Sequence, residues 1–326
     1  MNNHVSIDLV ICTYNNAALL DRVLAALAKQ QVSPQVIWSV VVVDNNCTDN
    51  TIAVVQRYIQ SGQIPNLGII SEPKQGLTYA RLCGVQNTTG DWIAYVDDDC
   101  LLQEDWVEQA AQFALAHPDC GGFGGQVILD WETPPPAFVL KYGYSFAEQD
   151  HGMVAKQVSC LVGAGIVVRR SALLDIGWMN QQFMSDRVGK KLISGGDVEL
   201  ALRLASKHVL WYTPDCKLMH MIPSRRTSTK YLISMNYGLG TSQLYGDSML
   251  WPGSYLAWIF VSIFKTIRYS FDVIMNALKF LARRRVAPEV AINLSFVLGR
   301  WVGIGRMLGM NFQDRQALLG CAKVVR

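Results

Sequence analysis

Val40-Val41-Val42-Val43-Asp44-Asn45-Asn46 sets four β-branched residues in succession against a carboxylate and two amides. A strand with one wet face alternates apolar and polar residues. An unbroken valine run instead fits a strand covered on both faces, as in a parallel sheet between helix layers. The flanks agree. Upstream, residues 9–13 read as a strand, and Leu19, Leu20, Val23, Leu24 and Leu27 recur at three and four residues, the buried stripe of one helix. Downstream, the pattern predicts a helix over 51–59, a short strand over 67–70, a helix over 77–85 and a strand over 92–96 that ends in Asp97-Asp98-Asp99. Strand and helix alternate in this way to about Asp130, which predicts an α/β fold with a Rossmann-like, mostly parallel sheet flanked by helices.

Farther out, Gly-Gly-Phe-Gly-Gly at 121–125 and the prolines at 134–136 predict a loop bordering an acceptor groove. Residues 160–168 read as a strand and 198–205 as a helix after the Gly195-Gly196 turn, with a short strand over 209–212 before His220. Residues 248–264 are 17 uncharged positions. That is near the lower limit of roughly 17–25 for a spanning helix, and Pro252 and Gly253 shorten it, so spanning is not the favoured reading. Ile263, Ile267, Phe271, Ile274, Leu278 and Leu281 then recur at helical spacing, while Lys265, Arg268, Asp272, Lys279 and Arg283 follow another face. With Trp258 and Tyr269 nearby, this predicts a basic amphipathic helix lying in the headgroup region of an anionic membrane. Packing against the rest of the chain is the alternative.

Of the 326 residues, 50% are hydrophobic and 17% charged, which excludes a disordered or fibrous chain. The net charge is +3 and no run of five like charges occurs, so nothing calls for nucleic acid. The small total hides an asymmetry: up to Phe264 there are 18 basic and 23 acidic residues, and beyond it 11 basic and 3 acidic. The eight cysteines form no C-x-x-C pair, several fall in apolar runs that would fit a buried thiol, and all read as reduced thiols of a cytosolic protein. MNNHVSIDLV lacks the basic-then-apolar layout of a signal peptide, so a protein that is not exported is expected.

Three adjacent carboxylates after a strand repel one another unless a cation or solvent intervenes. Mg²⁺ and Mn²⁺ favour such oxygen ligands; the alternative is a solvated turn capping the next helix. Asp44 closes the valine strand at the edge where open α/β sheets take ligands. There it suits hydrogen bonding to a base or sugar, while Thr48, Asp49 or Thr51 cap the following helix.

Val10-Ile11-Cys12-Thr13-Tyr14-Asn15, Val43-Asp44-Asn45-Asn46 with Thr48-Asp49, Gly76-Leu77-Thr78-Tyr79-Ala80-Arg81, and Gly90-Asp91-Trp92-Ile93-Ala94-Tyr95-Val96-Asp97-Asp98-Asp99 stand in one order, within a resemblance that extends over roughly residues 5–230. In these four motifs the chain resembles a family 2 glycosyltransferase. The resemblance implies a GT-A fold, a nucleotide-sugar donor, a divalent cation and inversion at the anomeric carbon. It implies that Thr13 and Tyr14 line the nucleotide pocket and that Asp44 holds the base, usually uracil. It puts Arg81 near the donor, Asp97 at the ribose or sugar, Asp98 in the donor site, and Asp99 on the metal. Ser194-Gly195-Gly196-Asp197-Val198-Glu199-Leu200 is similar to the family's Gly-Glu-Asp-x-Glu-Leu segment, with Asp197 as the catalytic base. Gly196 departs from it, standing where the family often has Glu. Asp197 as a helix cap, and Glu199 paired with Arg203, are the structural alternatives.

The same resemblance adds His220 as a second metal ligand and Arg226, beside Arg225, as a phosphate clamp. It also makes Gly163-Ala164-Gly165 an acceptor-side segment. The expected layout is a catalytic domain over 1–230, with donor half 1–120 and acceptor half 121–230, and a helical, basic C-terminal region over 231–326. The expected function is transfer from a nucleotide sugar, such as a UDP-sugar, to a glycan or lipid-linked acceptor in polysaccharide or glycolipid synthesis. The expected location is the cytoplasmic face of a membrane, with the protein peripheral or monotopic. A nucleotidyltransferase and a non-catalytic nucleotide-sugar-binding scaffold are the alternatives.

Overall fold

A computed structural model describes residues 5–184, 195–282 and 287–323. Its first half alternates strand and helix: β1 (Val5–Thr13), α1 (Ala17–Leu27), β2 (Val36–Asp44), α2 (Thr51–Ser61), β3 (Leu67–Ser71), α3 (Leu77–Gln86) and β4 (Trp92–Asp97). There follow β5 (Cys100–Leu102), α4 (Trp106–Ala116), β6 (Cys120–Gly124), β7 (Val127–Trp131), a 3₁₀ segment over Val139–Phe146, β8 (Lys156–Val158), β9 (Ile166–Arg169) and α5 (Arg170–Asp175). After α6 (Gly196–Lys207), β10 (Val209–Tyr212) and β11 (Leu218–Ile222), the chain is helical: α7 (Thr229–Met249), α8 (Tyr255–Ala282), α9 (Pro288–Gly309) and α10 (Phe312–Leu318).

Eight strands form one sheet in the order β3-β2-β1-β4-β9-β6-β10-β8, and β5-β11-β7 form a second, smaller one. The first four are parallel, and β9 runs antiparallel to β4 and to β6. The valine run is covered as expected. Val40 and Val42 join Leu9, Ile11, Leu20 and Leu24 in one core layer, while Val43 joins Val10, Ala80 and Tyr95 in the other.

Residues 121–124, expected in a loop, instead lie in β6, a fully buried strand. Small residues are required there because a Cβ on Gly122 would stand 2.9 Å from the Val167 carbonyl oxygen of the neighbouring strand. The strand expected from residue 160 begins only at Ile166, and residues 160–165 form a loop. Trp258, read as an interfacial aromatic, is buried and stacked on Tyr255. Ser194 and Arg283 lie outside the described residues. Residues 248–264 are split between the end of α7 and the start of α8, and among the described residues no helix is long and apolar enough to cross a membrane.

The helices α7 and α9 meet backbone to backbone. A Cβ on Gly240 would lie 2.1 Å from the Phe296 carbonyl oxygen, and one on Gly299 would lie 2.1 Å from that of Tyr237. Thr241 Oγ1 donates to the Gly299 carbonyl at 3.1 Å. The buried Arg300 then ties three helices together: it donates to Gln243 Oε1 of α7 at 2.6 Å and to Thr266 Oγ1 of α8 at 3.2 Å. Gly299→Ala forces the seam apart. It is expected to lower the unfolding free energy by about 3 kcal/mol, the upper end of overpacking costs, as read by urea denaturation.

Candidate active site

Sheet growth reverses at β1. The chain runs outward through β2 and β3, then returns to place β4 on the other side of β1, which opens a crevice at the carboxyl ends of β1 and β4. Register sets Thr13 beside Asp44 and Cys12 beside Asp97. A cavity of about 370 Å³ lies here. Its wall includes Thr13, Tyr14, Arg81, Asp97, Asp98, Asp99, Asp197, His220 and Arg226. Asp44 stands off that wall, buried, with Oδ1 accepting the Cys47 N–H at 2.8 Å. Helix capping falls to Asp49, whose carboxylate accepts the N–H of Thr51 at 3.1 Å and that of Ala17 at 3.0 Å.

The three aspartates face different partners. Asp97 Oδ1 lies 3.8 Å from Arg81 Nη2. Asp98 Oδ1 accepts from Asn16 Nδ2 at 2.7 Å, and burial, with the Asp99 charge adding to it, pushes the Asp98 carboxyl up to about 7. Asp99 is reached through the small sheet. β11 runs antiparallel to β5 with His220 opposite Cys100, and the Met221 N–H donates to the Asp99 carbonyl at 2.8 Å. That register brings His220 Nε2 to 3.3 Å from Asp99 Oδ1, while Arg226 Nη1 lies 2.8 Å from Asp99 Oδ2.

A carbonyl can only accept, so the 2.7 Å contact between His220 Nδ1 and the Phe146 oxygen fixes a proton on Nδ1. Nε2 then turns toward Asp99, where a neutral ring would set a lone pair against a carboxylate. Burial works against charging the ring, but the Asp99 charge overrides it and raises the His220 pKa. A lone pair and a carboxylate oxygen converging in a buried site also make a nitrogen–oxygen donor set, which Mn²⁺ accepts more readily than the oxygen-seeking Mg²⁺. Cys100 completes a group whose ligand atoms lie within 4.8 Å of one another. Its thiol is held protonated by burial and by the neighbouring aspartates, which leaves Asp99 and His220 as the fitting ligands.

Asp197 is the second residue of α6, and its Oδ1 accepts the Val198 N–H at 2.9 Å. A Cβ on Gly163 would lie 2.9 Å from Asp197 Oδ2 and 3.2 Å from Arg81 Nη2. The small residue in that loop therefore lets the base candidate and a donor-side arginine approach one point. Glu199 serves the scaffold: fully buried, its Oε2 accepts the N–H groups of Phe183 at 2.8 Å and Met184 at 2.7 Å, and its Oε1 accepts from Arg203 at 2.9 Å.

Part of the cavity escaped the sequence reading. Tyr231, Met235 and Leu239 of α7 line it, with Tyr144, whose hydroxyl donates to Asn236 Oδ1 at 3.0 Å. Their i, i+4, i+8 spacing directly after Arg225-Arg226 was the available signal. A separate, shallower groove lies around Asp21, Arg57 and Tyr58. Its one carboxylate is already paired with Arg57, so no chemistry converges there.

The family described as Glycosyl transferase family 2 matches residues 8–177. Among curated proteins, the chain is 24% identical over 321 residues to a glucosyl-dolichyl phosphate glucuronosyltransferase of Haloferax volcanii, covering 94% of this chain and 96% of that one. Among solved structures, it is similar to the mannosyltransferase PcManGT from Pyrobaculum calidifontis in complex with GDP-Man and Mn²⁺. The TM-score is 0.57 at 18% identity, over 98% of this chain and 84% of that one. It is also similar to residues 1–349 of S. aureus TarS in complex with UDP-GlcNAc, with a TM-score of 0.50 at 16% identity, over 72% of this chain and 66% of that one.

Glu199→Ala strands the Arg203 guanidinium in the interior and releases the Phe183–Met184 segment. A loss of about 3–5 kcal/mol in stability is expected, measured by urea unfolding.

Proposed function

The chain belongs to glycosyl transferase family 2, and on that premise we propose that it is an inverting, metal-dependent hexosyltransferase. The donor is a nucleotide sugar, taken to be a UDP-sugar. The acceptor is a hydroxyl of a glycan or lipid-linked saccharide in surface polysaccharide or glycolipid synthesis. One observation carries the reading: Asp99, His220 and Arg226 converge on one side of the cavity that Asp197 also lines. The solved structures similar to it carry UDP-GlcNAc in one case and GDP-Man with Mn²⁺ in the other, which supports such a donor. The Haloferax relative is named for a dolichyl-phosphate-linked substrate, which supports a lipid-linked acceptor. On this reading the enzyme works at the cytoplasmic face of a membrane, as a peripheral or monotopic protein.

The roles follow from the chemistry. Thr13, Tyr14 and Asp44 hold the nucleoside, with Asp44 behind the wall shaping the turn on which the base rests. Asp97 and Asp98 take the ribose or sugar hydroxyls. Asp99 and His220 would hold a divalent cation, which would supply Lewis-acid stabilisation of the charge that builds on the departing diphosphate. Arg81 and Arg226 present guanidinium groups to the phosphates, for which their planar fork is suited. Asp197 accepts the proton of the acceptor hydroxyl as its oxygen bonds to the anomeric carbon. The bond from that carbon to the phosphate oxygen breaks in the same displacement, and its electron pair leaves with the nucleoside diphosphate. Gly196 withholds a second acid beside the base, so Asp197 works alone at the start of α6.

Calorimetric titration with UDP is expected to show binding that requires Mn²⁺ and is lost in Asp99→Ala and in Asp44→Ala. Asp197→Asn is expected to bind UDP as the wild type does and to lose transfer by roughly 10²–10⁴-fold. Metal-dependent binding of GDP, dTDP or CDP in place of UDP would reassign the donor. Binding of none of the four would overturn the catalytic reading in favour of a scaffold.

A further inference from the structure

The 28-residue helix α8 has three faces. Counting 100° per residue, the side bearing Trp258, Ile259, Ser262 and Thr266 is buried against the body. A second side carries Leu256, Phe260, Phe264, Ile267, Phe271, Ile274 and Leu278, all exposed, with Phe260 at 75% and Phe264 at 69%. The stripe from Leu256 to Leu278 is about 33 Å long at 1.5 Å per residue. Between these sides, next to the apolar stripe, lie the exposed Lys265, Arg268 and Lys279, with Asp272 the one acid among them.

The neighbouring helix repeats the pattern. On α9, Leu294, Leu298, Trp301, Val302 and Leu308 are exposed on one side. The two helices are joined by Trp301 Nε1 donating to Ser270 Oγ at 3.2 Å and by the Tyr255 hydroxyl donating to the Met307 carbonyl at 3.0 Å. By the same angular count, the exposed stripe of each helix borders the side turned to its neighbour, so the stripes adjoin. Contiguous apolar surface of this extent is unusual on a soluble monomer and marks an interaction site.

We infer that the paired stripes of α8 and α9 are the surface on which this protein lies on an anionic lipid bilayer, a conclusion that deepens the membrane reading proposed above and rests on it. Two observations select a bilayer over a second copy of the chain. The first is charge: the cations of α8 edge the stripe, and no carboxylate lies within ion-pair distance of Lys265 or Arg268 among the described residues. A row of unpaired cations beside an apolar stripe complements anionic headgroups, whereas a symmetric copy would set like charges against each other. The second is shape: a long ridge of Phe, Leu and Ile with buried Ser262 and Thr266 behind it suits shallow insertion parallel to the surface, since those polar groups face the body and not the lipid. Phe260, Phe264 and Ile267 enter the boundary between headgroups and acyl chains, and Lys265 and Arg268 stay at headgroup level.

Co-sedimentation of the full chain with vesicles tests this. Binding is expected to vesicles of phosphatidylcholine mixed with phosphatidylglycerol and to be weaker with phosphatidylcholine alone. Phe260→Glu with Phe264→Glu is expected to cut vesicle partitioning by about tenfold or more. Lys265→Glu with Arg268→Glu is expected to cost roughly fivefold for each charge removed and to abolish the preference for anionic lipid. Metal-dependent UDP titration of the same samples separates the two readings. A wild type that binds nucleotide yet ignores both vesicle types overturns the surface alone, and one that binds vesicles without any nucleotide overturns the catalytic reading alone. Vesicle binding that is unchanged in the Phe260→Glu, Phe264→Glu variant overturns the assignment. So does a wild-type dimer, seen by light scattering, that this variant converts to monomer.

Discussion

A carboxylate taken out of water needs positive charge or hydrogen-bond donors around it, and the buried Asp99 is the point at which this requirement organises the protein. Its two oxygens face His220 and Arg226, and neither partner is near it in the chain. Both arrive because β11 lies against β5 in one register, and that register depends in turn on β7 holding the other edge of the small sheet. A slip of one residue would turn His220 to the opposite face. The geometry at the metal-fitting pair is therefore a property of strand pairing rather than of the 3₁₀ segment Ser224–Thr227 that carries Arg226.

The remaining elements supply the two sides of the cleft in different ways. The half formed by β1 to β4 is built from parallel strands whose ends are drawn together by short polar loops. Asn45 alone donates to the Glu72 and Lys74 carbonyls and accepts the Gly76 N–H. The opposite half is assembled from distant pieces: the 3₁₀ segment, the loop before β9, the start of α6 and the first turns of α7. Fixed hydrogen-bonded turns suit a ligand whose shape does not vary. Side chains projected from separate elements form the side that can change without disturbing the sheet.

The amino-acid pattern exposed the first half of the fold almost completely, since periodicity and turn chemistry are local. The valine run, the leucine stripe of α1 and the strand before Asp97 needed no distant information. Gly121–Gly125 misled because glycine signals a turn and a tight contact alike, and only the approach of Val167 from a strand more than forty positions away decides between them. Trp258 misled in the same manner: aromatic flanks suggest an interface, but stacking on Tyr255 and burial depend on how α8 rests on its neighbours. Motif order brought out Asp97, Asp98 and Asp99, and the resemblance added His220. It did not show that Asp44 stands off the cavity wall, or that Tyr231, Met235 and Leu239 form part of it, because the facing of a side chain is set by packing.

The glycine seam between α7 and α9 makes the last part of the chain inseparable from the cleft. One side of α7 supplies cavity wall, and another is locked to α9 with no room for a side chain between the backbones. The C-terminal helices are thus no exchangeable module. A chimera that grafted them from a relative would import a new wall for the cleft along with a new outer surface, so the shape of the cavity and the outer face of the last helices are inherited as one trait.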